Sequence, residues 1–177
     1  MLIKNNHGPI NHMPERFMQL ISQLKGKDLA LKIESVLELG RLRDERAIGP
    51  LSEALKDDGI RALVCWALGR IGSKASMGKM LRLLVDDDAK VRHEAVLALA
   101  RIGDSKAAGP IAKLLKLDKV AKVREECAEA LAAFPSKAAL AALKKAAAED
   151  SSLLVRDRAN KSIVEIRMKE LGIEQNP

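Results

Sequence analysis

The sequence predicts an all-α protein: a short right-handed α-solenoid of about five helix-pair repeats, preceded by an N-terminal capping helix. Three observations carry this. First, the chain repeats itself: LELGRLRD (37–44), WALGRIGS (66–73) and LALARIGD (97–104) align without gaps, and EALAAFPS (129–136) keeps their apolar spacing. A basic residue stands eight positions before the Gly, Ala or Val of each unit: Lys32, Arg61, Arg92, Arg124 and Arg156, at intervals of 29, 31, 32 and 32 residues. A fixed period of this size marks stacked supersecondary units. Second, apolar residues within each unit recur at helical spacing, with no alternating run that would mark a strand. Third, aromatic residues are only 2% against 47% apolar, so the core is built from Leu, Ile, Val, Ala and Met, which suits closely packed helices better than a β-sandwich.

The elements follow in order. Residues 1–13 read as a loose arm and 14–25 as the capping helix, with Phe17, Leu20, Ile21 and Leu24 on one face. Helix pairs follow over 26–57, 58–86, 87–118 and 119–150, and 151–177 is a closing helix and tail. The third unit illustrates the pair. Val91, Ala95, Leu99 and Ile102 form one helical stripe. Asp88 can accept the free N–H groups of the first turn, and Gly103 can end the helix in the left-handed conformation. Pro110 suits the start of the second helix, where the N–H it lacks has no partner. The second helices bury Leu51, Ala54 and Leu55; Met80, Leu83 and Leu84; Ile111, Leu114 and Leu115; and Leu140, Leu143 and Ala147. The closing helix is expected to bury Leu154, Val155, Ala159, Ile163 and Ile166 beneath a polar outer face. End units of a solenoid differ from the middle in this way.

The pattern Asp-x3-Arg-x7-Gly/Ala-Arg-Ile-Gly-Asp followed by a second helix resembles the short HEAT-like repeat named after phycobilisome lyases. The clearest copies are 87–117 and 58–86, and the resemblance spans about 27–165. It implies a stacking role for Asp57, Asp88, Arg61 and Arg92, and for Asp118 with Arg124 and Asp150 with Arg156. The family includes adaptors, chromophore lyases and an iron hydroxylase, so the fold alone does not choose a function.

Catalytic signals are sparse. His93-Glu94 matches the pair with which the resembling hydroxylase holds iron, but the equivalent positions are Ile33-Glu34, Ala62-Leu63, Glu125-Glu126 and Asp157-Arg158. One pair cannot hold two irons, and the expectation is an outward-facing surface pair. His7 and His12 have no partner at ligand spacing, so no metal site is expected. Gly69, Gly72 and Gly78 are read as repeat turns, not a phosphate loop. Cys65 and Cys127 lie two units apart, too far for a disulfide, and read as small buried side chains. No general base pairs with a Ser or Cys. These readings predict no enzyme and no cofactor. With no apolar run near 18 residues and no leader, a cytoplasmic location without a membrane span is expected.

Charge gives the surface reading. The net charge is +7, which favours an acidic partner. Lys79, Arg82, Lys113, Lys116, Lys144 and Lys145 fall on the second helices outside the apolar stripes, with Glu53 and Glu149 the main acids among them. If the second helices line the concave side, these cations form a basic strip there. The expected function is a non-catalytic protein–protein scaffold that binds an acidic protein or peptide segment on this strip. The alternative is a nucleic-acid binder of the HEAT-like DNA-glycosylase kind, which the scarcity of aromatic platforms weakens. A subunit of a chromophore lyase ranks lower. Trp66 lies on a first helix, towards the expected convex side. It is read either as a ring over the neighbouring helix or as an anchor for a partner.

Overall fold

The computed structural model describes residues 13–173; the N-terminal arm with His7 and His12, and the last four residues, lie outside them. Ten α-helices follow one another: α1 Met13–Leu24, α2 Leu29–Leu42, α3 Ile48–Ala54, α4 Arg61–Ile71, α5 Met77–Leu83, α6 Ala89–Ile102, α7 Ala108–Leu117, α8 Ala121–Ala130, α9 Lys137–Glu149 and α10 Leu153–Glu170. Strands are absent among the described residues. The helices form two layers of an α-solenoid. The first helices α2, α4, α6, α8 and α10 stack directly on one another, and the second helices α3, α5, α7 and α9, with α1 ahead of them, form the other layer.

Local chemistry sets each boundary. Asp28 caps α2 by accepting from the N–H groups of Ala30 (2.9 Å) and Leu31 (3.1 Å), and Asp88 caps α6 through the N–H of Lys90 (2.8 Å). Gly72 and Gly103 end α4 and α6 at φ 72° and 71°, the left-handed conformation that costs glycine nothing. Arg43 holds the equivalent place after α2 at φ 52°, an unusual conformation for a residue with a Cβ. One 3₁₀ turn then joins each first helix to its second. In the first three units it is capped by Asp44, Ser73 or Asp104.

Two close approaches set the spacing of the first-helix layer. Gly69 is not in a turn, as its sequence context suggests, but inside α4. A Cβ there would sit 2.7 Å from the Cα of Ala98 on α6. A Cβ on Gly40 would meet the Trp66 ring at 2.7 Å and the Cα of Ala67 at 3.0 Å. Glycine therefore lets α2, α4 and α6 lie almost backbone to backbone. Across the other layer α3 and α5, and α5 and α7, scarcely touch.

The basic residues of the repeat form a ladder across the units. Lys32 Nζ donates to Asp57 (2.6 Å), Arg61 Nη1 to Asp86 (3.1 Å), Arg92 to both oxygens of Asp118 (2.7 and 3.0 Å), and Arg124 to both oxygens of Asp150 (2.8 Å each). Each cation thus reaches the carboxylate that closes its own unit, just ahead of the next first helix. Asp88 is not a rung: it caps α6, and Asp86 takes the ladder place. The arginines also donate to carbonyls behind their own helix, at Leu55, Asp86, Asp118 and Asp150. Burial works against the charge of Asp118, but the Arg92 guanidinium and the Val120 N–H outweigh it and hold its pKa below the ordinary carboxylate value. The Arg124 guanidinium does the same for Asp150, against the opposing effect of burial.

The closing helix departs from expectation in one place. Val155, Ala159 and Ile166 are buried and Ile163 half-buried, but Leu154 is exposed. It precedes Val155 at the start of α10 and turns to the outer face.

Two predictions follow the ladder. Arg92 and Asp118 are both buried, whereas the Lys32–Asp57 pair keeps side-chain exposures of 19% and 33%. Arg92→Ala should cost about 3 kcal/mol, because it strands a buried carboxylate, and Lys32→Ala about 1 kcal/mol or less, as read from urea unfolding midpoints; equal costs would refute the ranking. Both aspartates have depressed native pKa values, so their stabilisation is complete above the unfolded carboxylate value of about 4. It is lost as pH falls below that through the native values. Thermal melts of the native chain should fall steeply across this acid window, and melts of an Asp118→Asn variant less so.

Candidate functional site

The first-helix face carries a hollow of about 780 Å³. Its walls are Leu37 from α2, Ala62, Leu63 and Trp66 from α4, Ala89 from α6, and Val120 and Val123 at the start of α8. Lys90 and Lys122 stand at its edge, and His93 and Glu94 supply its polar groups. The two residues that follow a ladder cation point out from the first-helix row; in the second unit these are Ala62 and Leu63 and in the third His93 and Glu94, and all four line the hollow. A space of this size and character falls in the range of small-molecule sites.

Trp66 is half-buried. One ring edge lies over Gly40, and the Arg70 guanidinium sits 5.9 Å from the ring centre. The ring thus packs on the neighbouring helix, as one of its two sequence readings expects, and it also lines the hollow.

His93 and Glu94 do not form the plain outward pair expected of them. His93 Nε2 lies 3.0 Å from Glu126 on α8, and Nδ1 lies 3.7 Å from Glu94. Burial raises the Glu126 pKa, with His93 acting against it. The second oxygen of Glu94, Oε2, is buried with no hydrogen-bond partner. The two carboxylates meet opposite ring nitrogens, so they do not converge on a common point. Among the described residues, no three or more His, Cys, Asp or Glu side chains are grouped to hold a metal. Burial pushes the Cys65 thiol up to about 12 and raises Cys127 as well, which leaves neither as a thiolate nucleophile near neutrality.

The basic strip lies on the other layer. Lys79 and Arg82 are on α5, Lys113 and Lys116 on α7, and Lys144 and Lys145 on α9. All but half-buried Lys79 are exposed. Lys145 pairs with Glu149 at 3.6 Å. The strip and Trp66 therefore face away from each other and cannot serve one ligand. Sequence reasoning did not foresee the hollow on the first-helix layer, the buried Glu94 oxygen or the His93–Glu126 contact. The signal that could have found the hollow is apolar Ala62 and Leu63 beside Trp66 at the outward positions of the second unit.

Comparison with known proteins agrees with this architecture. The chain is 34% identical over 84 residues to phycocyanobilin lyase subunit alpha of Picosynechococcus sp., a match covering 42% of this chain and 31% of that protein. The chain thus spans about a third of that relative's length. Its fold matches a chain in the complex of CpcE and CpcF of phycocyanin lyase from Nostoc sp., with a TM-score of 0.74 at 21% identity, over 96% of this chain and 70% of that one. An engineered protein matches with a TM-score of 0.62 at 23% identity, over 85% and 81% of the two chains. The expectation of a protein with no part in an enzyme is overturned here, since the curated relative and the first solved structure are both named as components of a lyase. No helix among the described residues is long and apolar enough to cross a membrane. The HEAT-repeat family model matches residues 17–87 and 79–163, nearly the whole described chain, which therefore belongs to the HEAT-repeat family, with repeats of the short phycobilisome-lyase type.

Proposed function

We propose that the chain is a subunit of a lyase of the phycocyanobilin-lyase kind and that its hollow receives the apolar body of the pigment. The observation that carries this is the hollow itself: about 780 Å³, walled by aliphatic side chains and one indole, with a buried carboxylate oxygen that lacks a donor. An open-chain tetrapyrrole brings what that surface lacks. Its conjugated rings match the Trp66 face and the Leu37, Leu63 and Val120 walls, and its pyrrole N–H groups are donors for Glu94. An unpaired carboxylate oxygen in an apolar setting favours a ligand that supplies such a donor. The rigid ladder beneath holds the walls in place before binding, which spares the cost of ordering them.

The partner is the second part of the reading. Lys113, Lys116, Lys144 and Arg82 make no ion pair among the described residues, and they sit together on the layer opposite the hollow. An acidic segment of a partner protein suits them. A nucleic acid suits them less, because no aromatic ring stands beside them for bases to stack on: Phe17 and Phe134 are buried and half-buried Trp66 lies on the other layer.

Trp66 is the only tryptophan, so its fluorescence reports on the hollow directly. Titrating phycocyanobilin into the purified chain should quench it saturably. Glu94→Ala should weaken binding about tenfold, the loss of a charge-assisted hydrogen bond, and Leu63→Glu should abolish it. Absence of saturable quenching would refute the reading. For the strip, a labelled glutamate-rich peptide should bind with a salt-sensitive anisotropy change that Lys113→Glu with Lys116→Glu removes. Equal binding by that variant would remove the strip from the proposal.

A further inference from the structure

The hollow runs diagonally across the first-helix row. On α2 its lining is Leu37, five residues after the ladder cation Lys32, and on α4 it is Ala62, Leu63 and Trp66, one to five residues after Arg61. On α6 the lining begins at Ala89, three residues before Arg92, and ends at Glu94, two after it. At α8 it lies wholly ahead of Arg124, from Val120 to Val123. One end is therefore made of helix middles and the other of helix starts.

The two ends differ in chemistry. Leu37 and Trp66 make the first apolar. Lys90 and Lys122 stand at the second, each two residues before its ladder cation, hence one unit apart on the same side of the row. The same position holds Ala30, Gly59 and Leu154 in the other units, so the stack does not require a cation there. Both lysines are exposed. The Lys90 ammonium meets no carboxylate among the described residues. Lys122 meets Glu125, three residues along its own helix at 3.1 Å, with 65% of the lysine side chain exposed, a pair weak enough for a ligand to exchange. Between the two ends lies Glu94, whose charge repels a second anion placed beside it.

We propose that Lys90 and Lys122 bind the two carboxylate arms of the tetrapyrrole and so fix which way round it enters the hollow. This rests on the pigment reading of the hollow and assigns the ligand's charged groups within it. An open-chain tetrapyrrole of this kind carries its two propionate arms on the adjacent middle rings, so both project from one edge. With that edge at the starts of α6 and α8, one arm reaches each ammonium. Neighbouring packed helices lie roughly 8–10 Å apart, a separation that two such arms can span. The outer rings then lie towards Trp66 and Leu37. The opposite entry would press both acid arms against apolar walls that hold no cation, where an unpaired charge is costly. The hollow thus selects an apolar body with two acids on one edge over a neutral body of the same shape.

Phycocyanobilin and its dimethyl ester, which keeps the rings but has no charged arms, are titrated separately into the full chain with Trp66 fluorescence as the readout. The free acid should bind about tenfold more tightly than the ester at low salt, the effect of two exposed ion pairs, and added salt should narrow the gap. Lys90→Gln with Lys122→Gln should bring the acid down to the affinity of the ester and leave the ester unchanged. Both side chains are exposed, so the fold is kept, which circular dichroism checks. Equal affinity of acid and ester for the native chain would overturn the proposal while the hollow reading stands. A gap that survives the double variant would also overturn it, because other groups then read the arms. Failure of both compounds to quench would remove the hollow reading, and the assignment of the lysines with it.

Discussion

Everything in this molecule depends on a cation in each of α2, α4, α6 and α8 reaching the carboxylate that stands just ahead of the next first helix. The Arg92–Asp118 and Arg124–Asp150 forks fix the distance and rotation between neighbouring units with two bonds each, a geometry that guanidinium provides and ammonium does not. The same guanidinium groups donate to carbonyls behind their own helices, so one side chain ties three segments. The cost of burying these charges is offset because nearly every donor and acceptor is used. The grading along the chain is consistent: Lys32 opens the ladder with a single contact and greater exposure, and the forked, buried rungs occupy the middle.

On that frame the glycines do the shaping. Gly40 and Gly69 lack the Cβ atoms that would collide with α4 and α6, and α4 in turn carries Trp66 over Gly40. The hollow opens beside these helices and extends past them to Val120 and Val123 at the start of α8. Further along the same row the outward positions become Glu125, Glu129, Asp157 and Lys161, and the face turns to water. Close helix approach at Gly69 and the apolar lining at Ala62, Leu63 and Trp66 thus arise in the same unit, from residues a few positions apart.

Much of this was legible in the sequence. The period, the ladder cations, the caps at Asp88 and Gly103 and the end helices are local or periodic features, and periodic features survive into a solenoid because each unit touches only its neighbours. What was not legible depends on distances between units. Nothing in a single unit says where a hollow will open between neighbouring first helices. Gly69 reads as a turn residue until Ala98 is seen against it. Glu94 reads as a surface acid until Trp66 and Val123 close around it. Leu154 fits an apolar stripe on spacing alone, yet the helix start places it on the open side.

The same difference explains why catalytic motifs pointed away from an enzyme. Motif reading looks for groups that react: a nucleophile with its base, a ligand set, a phosphate loop. A subunit whose share of the work is to hold an apolar substrate in place needs none of these. It needs a dry wall of aliphatic side chains, one or two polar atoms that cannot be satisfied until the ligand arrives, and a frame stiff enough to keep both waiting. Leucine, valine and alanine in such a wall are indistinguishable in sequence from the same residues in a core. Only their position on the first-helix row, facing outward above the ladder, separates the two, and that position is a property of the stack and not of any one repeat.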